Sequence, residues 1–158
     1  MKLDVSFFKP FIDGTSNTLK IQCNLDARPD KSFLKNRGPK TDFQIAGVIG
    51  LSSKTFAGTI SICFPKAVFL KIMNNMLGEN YTQINEDVQD GAAEVLNMIF
   101  GQAKHVLNEA GHEIQKAIPA VVKGEHIETL HLSGRPVIVI PFVTEAGTFH
   151  VEIAIEEN

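Results

Sequence analysis

The chain has 158 residues, 44% of them hydrophobic and 21% charged, a balance that fits one globular domain spanning residues 1–158 and argues against disorder. Fifteen lysines and arginines against eighteen acids give a formal net charge of −3 and no basic footprint for a phosphate backbone, which excludes nucleic acid as a partner. No apolar run approaches the ~20 residues needed to cross a bilayer, and Met1-Lys2-Leu3-Asp4-Val5 has no signal-peptide architecture, so the expectation is a cytoplasmic protein without membrane contact.

Val5, Phe8, Phe11, Ile12, Thr15, Leu19 and Cys23 recur at helical spacing and predict a helix from about Val5 to Leu25, with Pro10 confined to its first turns or kinking them. Asp13 and Asn17, four residues apart on it, read as a solvated face. Arg28-Pro29-Asp30-Lys31 breaks the helix, Ser32-Phe33-Leu34-Lys35 is a short edge strand, and Asn36-Arg37-Gly38-Pro39-Lys40 is an exposed turn. Two strands follow, Phe43 to Leu51 and Phe56 to Phe64. The short Ser52-Ser53-Lys54-Thr55 connection makes them antiparallel neighbours. Pro65 opens the next helix, whose buried stripe is Val68, Phe69, Ile72, Met73 and Met76, and Gly78 ends it. Cys23 and Cys63, far apart in the chain, read as reduced and buried or half-buried thiols.

The next helix is predicted from about Glu86 to Ala110. Asn85 is its N-cap, Glu86 and Asp87 place negative charge at the positive end of the dipole, and Gly111 terminates it. At ~100° per residue, Ala92, Val95, Leu96, Ile99, Ala103, Val106, Leu107 and Ala110 gather on one apolar face. Glu94 and Asn97 leave the opposite face within ~60° of each other, side by side. Gly101 stands one turn beyond Asn97, where a residue costing roughly 1 kcal/mol relative to Ala has no packing reason to exist. Its missing side chain keeps the surface low beside the pair. Beyond this helix, Ala117 to Val122, Arg135 to Thr144 and Thr148 to Ile155 read as strands, with Glu145-Ala146-Gly147 closing a hairpin between the last two. Phe149, Val151, Ile153 and Ile155 alternate with His150, Glu152, Ala154 and Glu156. One apolar and one polar face predict an α+β two-layer sandwich, a mainly antiparallel sheet covered on one side by about three helices.

Metal chemistry finds no support in spacing. His105 and His112 are seven residues apart and His126 and His131 five, with no cysteine or carboxylate cluster beside them, so surface histidines are expected and no metal site. There is no phosphate-cradling glycine loop and no nucleophile elbow.

The stretch from Asp90 to Lys104, with Glu94-x-x-Asn97-Met98 and Gly101 four residues after the asparagine, resembles the signature helix of the CheX and CheC phosphatases of bacterial chemotaxis. Lys9-Pro10-Phe11-Ile12 in the first helix, Met76-Leu77-Gly78 ending the next, and Pro119-Ala120-Val121-Val122-Lys123-Gly124 after the signature helix extend the likeness over nearly the whole domain. The resemblance implies an enzyme that hydrolyses the aspartyl phosphate of a CheY-like response regulator in two-component signalling. Asn97 would enter the regulator's acidic pocket and orient the attacking water, since an amide donates and accepts hydrogen bonds but has no usable pKa near neutrality. Glu94 would pair with the regulator's active-site lysine, while Asp90, Gly101 and Lys104 complete the partner-binding surface. It also implies that Mg²⁺ belongs to the regulator, with no cofactor bound by this chain, and a homodimer joined through sheet edges, with which the amphipathic last strand is compatible.

CheC-type proteins carry a second E-x-x-N on the first helix. Here Asp13-Gly14-Thr15-Ser16-Asn17 has the wrong acid and the wrong spacing, so one active helix is expected, as in CheX. Two other readings compete: a non-catalytic adaptor that docks through Glu94 and Asn97 on a phosphorylated receiver or a flagellar switch component, and a dimeric structural domain without a receiver partner, which leaves Gly101 unexplained.

Overall fold

A computed structural model describes residues 5–38, 42–116, 119–127 and 136–157. Helix α1 runs over Val5–Cys23 and contains Pro10. It ends two residues earlier than the apolar spacing predicts because Asn24 turns left-handed (φ 46°), and the Leu25 amide then donates back to the Leu19 carbonyl at 3.0 Å. Strands β1 (Arg28–Pro29) and β2 (Phe33–Leu34) and a 3₁₀ turn (Lys35–Arg37) follow. The helix-breaking Arg28-Pro29 thus also forms a two-residue strand, and Pro39 and Lys40 of the expected turn lie outside the described residues.

Strands β3 (Phe43–Ser52) and β4 (Phe56–Phe64) pair antiparallel from Ile45↔Phe64 to Ser52↔Ala57, as their short connection requires. Helix α2 (Lys66–Leu77) begins after Pro65 and stops at Gly78, where φ is 67°. Asn85 caps the next segment, its side-chain oxygen accepting from the Val88 amide at 3.2 Å. The single helix expected from Glu86 to Ala110 is two: α3 (Glu86–Gln89) and α4 (Gly91–Glu109), parted at Asp90. The break falls where Gly91 is pressed on Met73 of α2, so closely that a Cβ there would stand 2.1 Å from the Met73 sulfur. After Gly111 (φ 93°) the chain forms β5 (Gln115–Lys116), β6 (Ala120–Ile127), β7 (Ile138–Thr144) and β8 (Gly147–Glu157); of the strand expected at 117–122, residues 120–122 lie in β6, and Ala117 and Ile118 lie outside the described residues.

Among the described residues eight strands form one antiparallel sheet in the order β1-β7-β8-β4-β3-β5, with β2 also on β7 and β6 also on β3. This is an α+β fold with its helices on one face of the sheet. The main core lies between them: Ile45, Ile49, Phe64, Phe149 and Val151 from the strands meet Leu19, Phe69, Val95, Leu96 and Phe100 from the helices. Helix α4 settles directly over β3, where Gly47 has no side chain and a Cβ would lie 3.2 Å from Leu96.

Two expectations about β8 are corrected. It is an interior strand between β4 and β7, because both of its sides carry long antiparallel ladders, so it offers no edge for dimerisation. Its polar face is also not solvated: His150 is 6% exposed and Glu152 3%. Phe33 and Phe43 close edge-on against the His150 ring at 5.8 and 5.1 Å, and Lys35 ion-pairs with Glu152 at 3.0 Å. A second small core of Phe43, Ala46 and Cys63 lies on this side. His150 is therefore not a surface histidine, whereas His105 and His126 are exposed; His131 lies outside the described residues. Both cysteines are buried thiols outside any disulfide, and burial pushes the Cys23 thiol up to about 11. Among the described residues no helix is long and apolar enough to cross a membrane.

Candidate functional site

Helix α4 positions the site because its inner face is fixed on two sides. Ala92, Val95, Leu96, Ile99, Phe100, Ala103 and Leu107 are buried against the sheet and α1. Of the apolar face read from periodicity, Val106 and Ala110 are exposed instead, while Phe100 is buried in their place. The buried stripe is rotated slightly by α1, which packs along α4 and claims a second flank. A Cβ on Gly14 of α1 would stand 3.0 Å from the Ile99 carbonyl, tighter than an ordinary contact, and the Gln102 amide donates to Thr18 Oγ1 at 3.2 Å. The two helices therefore run side by side in the same direction.

With that face committed, Glu94 is left exposed in the first turn of α4, its amide donating to the Asp90 carbonyl at 3.3 Å. Asn97, half-buried, lies one turn along the same outer face. Gly101 follows, exposed, and a Cβ built on it would meet nothing within 4 Å. No packing requires glycine at this position. Asp90 is exposed at the α3–α4 junction and Lys104 half-buried, so all five expected residues fall on one continuous strip of α4 and its leading turn.

Beside this strip runs a groove of about 550 Å³ lined by Gln22, Asn97, Met98, Gly101, Gln102, His105 and Val106. Its Gln22 wall comes from α1 and was invisible to a reading of the signature helix alone, since nothing local says which helix lies alongside. A smaller hollow continues over Gly101, Lys104, His105, Asn108 and Glu109, with His105 Nε2 3.2 Å from Glu109 Oε1. The strip thus passes from carboxylates at Asp90 and Glu94 to an amide at Asn97, then to a low, partly apolar patch. Asp13 and Asn17 on α1 are exposed, and Asp13 is held by Lys9 at 2.8 Å, an ordinary ion pair of a wet helix face. Among the described residues no three His, Cys, Asp or Glu side chains are grouped as a metal site would need.

An α+β domain of this topology, carrying an acid and an amide on the outer face of the helix that crosses its sheet, is of the CheX- and CheC-like class. A CheC-like superfamily protein from Shewanella sp. PV-4 is 36% identical over 98% of this chain and 99% of that one, with a TM-score of 0.91. The chemotaxis protein CheX from Vibrio vulnificus is 34% identical over 96% and 100%, at 0.90. The family model for chemotaxis phosphatase CheX matches residues 45–143, and the chain belongs to the CheX family. A chain of the CheX–CheY–BeF3–Mg²⁺ complex from Borrelia burgdorferi, 22% identical over 98% and 100% with a TM-score of 0.80, shares the fold. No curated protein matches at a significant level.

Proposed function

We propose that this protein is a response-regulator phosphatase of bacterial chemotaxis, hydrolysing the aspartyl phosphate of a CheY-like receiver. The observation that carries the reading is the pairing of Glu94 and Asn97 one turn apart on the outer face of α4, in a chain of the chemotaxis phosphatase family. Asn97 enters the receiver's acidic pocket. There its amide donates one hydrogen bond to a water and accepts another, holding that water in line with the phosphorus. Much of phosphoryl transfer is positioning and charge stabilisation, so an orienting amide is enough without a general base. Glu94 pairs with the receiver's active-site lysine by a charge-assisted hydrogen bond that sets the register of docking. Asp90, Gly101 and Lys104 lie under the same partner. Mg²⁺ is held by the receiver, whose own carboxylates supply its oxygen ligands. The fold of the Borrelia burgdorferi complex chain, whose partner there is CheY with BeF3 and Mg²⁺, supports a receiver as partner.

Asn97→Ala is expected to lose about 3 kcal/mol of transition-state stabilisation, the order measured for removing one positioned polar group at a reacting centre, with the circular dichroism spectrum unchanged. Loss of radiolabel from a phosphorylated CheY-like protein measures it, and a full dephosphorylation rate in this variant defeats the assignment. Glu94→Ala is expected mainly to weaken capture of a beryllofluoride-activated regulator, so an unchanged affinity counts against its role.

A further inference from the structure

We infer that Lys104 takes a carboxylate from the receiver's surface just outside its phosphorylation pocket, so that the strip on α4 reads the receiver by charge and seats it in a single direction. The inference rests on the phosphatase reading and names the chemistry by which that site recognises its partner.

Lys104 follows Asn97 on the same helix by two turns, about 10.5 Å at ~1.5 Å per residue and within ~20° of it around the axis. It is half-buried, and among the described residues its ammonium has neither an ion pair nor a hydrogen bond. The acid nearest to it in sequence, Glu109, lines the same hollow, but its Oε1 is turned to His105 Nε2 at 3.2 Å. Between Asn97 and Lys104 stands Gly101, which puts nothing on the surface that would hold a partner off. A stable protein interface covers roughly 800 Å² on each partner, a patch about 16 Å in radius. A receiver seated on Asn97 therefore covers Lys104 too. An ammonium covered without a counter-charge gives up its hydration and gains nothing in return. This chain sets no acid against it, so the receiver supplies one. The other end of the strip has the opposite sign: Asp90 and Glu94 are exposed carboxylates and, among the described residues, likewise without an ion pair. The order along α4 is thus carboxylates, the Asn97 amide, then an ammonium. A receiver turned end for end would set its lysine against Lys104 and its acid against Asp90 and Glu94, and like charges reject that pose. Two turns from Asn97, Lys104 stands clear of the water and the phosphorus, so its contribution appears in recognition and leaves the chemical step alone.

The test compares Lys104→Met, which keeps the apolar stem and removes the charge, with Lys104→Glu and Lys104→Arg. Each is assayed beside the parent protein on whichever of a panel of phosphorylated CheY-like regulators the parent dephosphorylates best. KM is expected to rise about three- to tenfold for methionine and more than about tenfold for glutamate, with kcat within about twofold, while arginine restores the parent value. Raising salt from about 50 to about 500 mM is expected to close the gap between the parent and the methionine variant, because screening removes the attraction that only the parent has. Packing of the stem alone is met equally by methionine, so a methionine variant with the parent KM overturns the inference. A fall in kcat larger than the rise in KM also overturns it, since Lys104 would then act on the phosphoryl group. Affinity for the same regulator bearing beryllofluoride and Mg²⁺, read by titration calorimetry, separates the two levels of claim. If the parent binds but does not hydrolyse, the catalytic reading fails and the expected affinity loss in Lys104→Met still decides the charge contact. If the parent neither binds nor hydrolyses any member of the panel, both fall.

Discussion

Gly101 shows how a single position can be read against stability. It lies inside α4 in ordinary helical backbone, with open space where a Cβ would go, so alanine there has no clash and removes the conformational freedom that glycine carries in the unfolded chain. Gly101→Ala is expected to raise stability by about 0.5–1 kcal/mol in urea denaturation. Gly101→Leu is expected to fold equally well yet to cut dephosphorylation of the receiver at least tenfold, because its side chain would fill the floor beside Asn97. A leucine variant with parental activity would show that nothing docks over this surface. The outward placement of Glu94 and Asn97 was legible from the sequence for a related reason, since polar groups and a glycine collected on one angular sector of the helix, whereas their roles were read from the family resemblance. Val106 was misread because periodicity gives an angle and does not say which neighbouring element covers it.

At the scale of elements, the register of α1 against α4 and of α4 against β3 is set by glycines at close approaches. A Cβ on Gly14 would stand 3.0 Å from the Ile99 carbonyl, and Gly47 admits Leu96. Gly14→Val puts a branched side chain against backbone that cannot yield and is expected to cost about 1–3 kcal/mol, measured as a lower urea midpoint. Because α1 forms one wall of the groove, KM for the receiver should rise in the same variant. A midpoint unchanged from the parent would mean that the helices part freely. Strand identities and the β3–β4 and β7–β8 hairpins were readable from alternation and turn residues. The covered second face of the sheet was not, since Phe33 and Lys35 reach His150 and Glu152 from more than a hundred residues away in sequence. That cover has a pH signature. Burial, with Lys35 nearby, holds His150 below the ordinary imidazole value of 6.5, while Glu152 partly opposes the shift. The unfolded chain then binds the proton more readily than the folded one, so the contribution is fully present above pH 6.5 and is lost as pH falls through the folded value. His150→Leu should flatten the acid limb of the stability curve relative to the parent. Parallel limbs below pH 6.5 would show that His150 titrates alike in both states.

For the whole molecule, the sheet decides which assembly is possible. β7, β8, β4 and β3 are interior, and the β7 side is lined by the short strands β1 and β2. On the other side β6 pairs with β3 alone among the described residues, and its eight residues Ala120–Ile127 are exposed or half-buried, with Val122 46% exposed. A long strand with an open row of amides and carbonyls is a template for another strand. A second copy of the same chain pairing there antiparallel gives a closed two-fold interface and continues the sheet across both subunits. A homodimer, as the family resemblance leads one to expect, would have β6 and not the last strand as its edge, and would leave α4, on the helical face, accessible to a receiver in each subunit. Light scattering at about 10 micromolar should return twice the 17.3 kDa of one chain, and Val122→Asp, which sets like charges beside the paired edges, should shift the mass toward a single chain while a subunit still dephosphorylates the receiver. A parent protein of one-chain mass defeats the assembly, and a Val122→Asp variant that stays dimeric places the interface elsewhere.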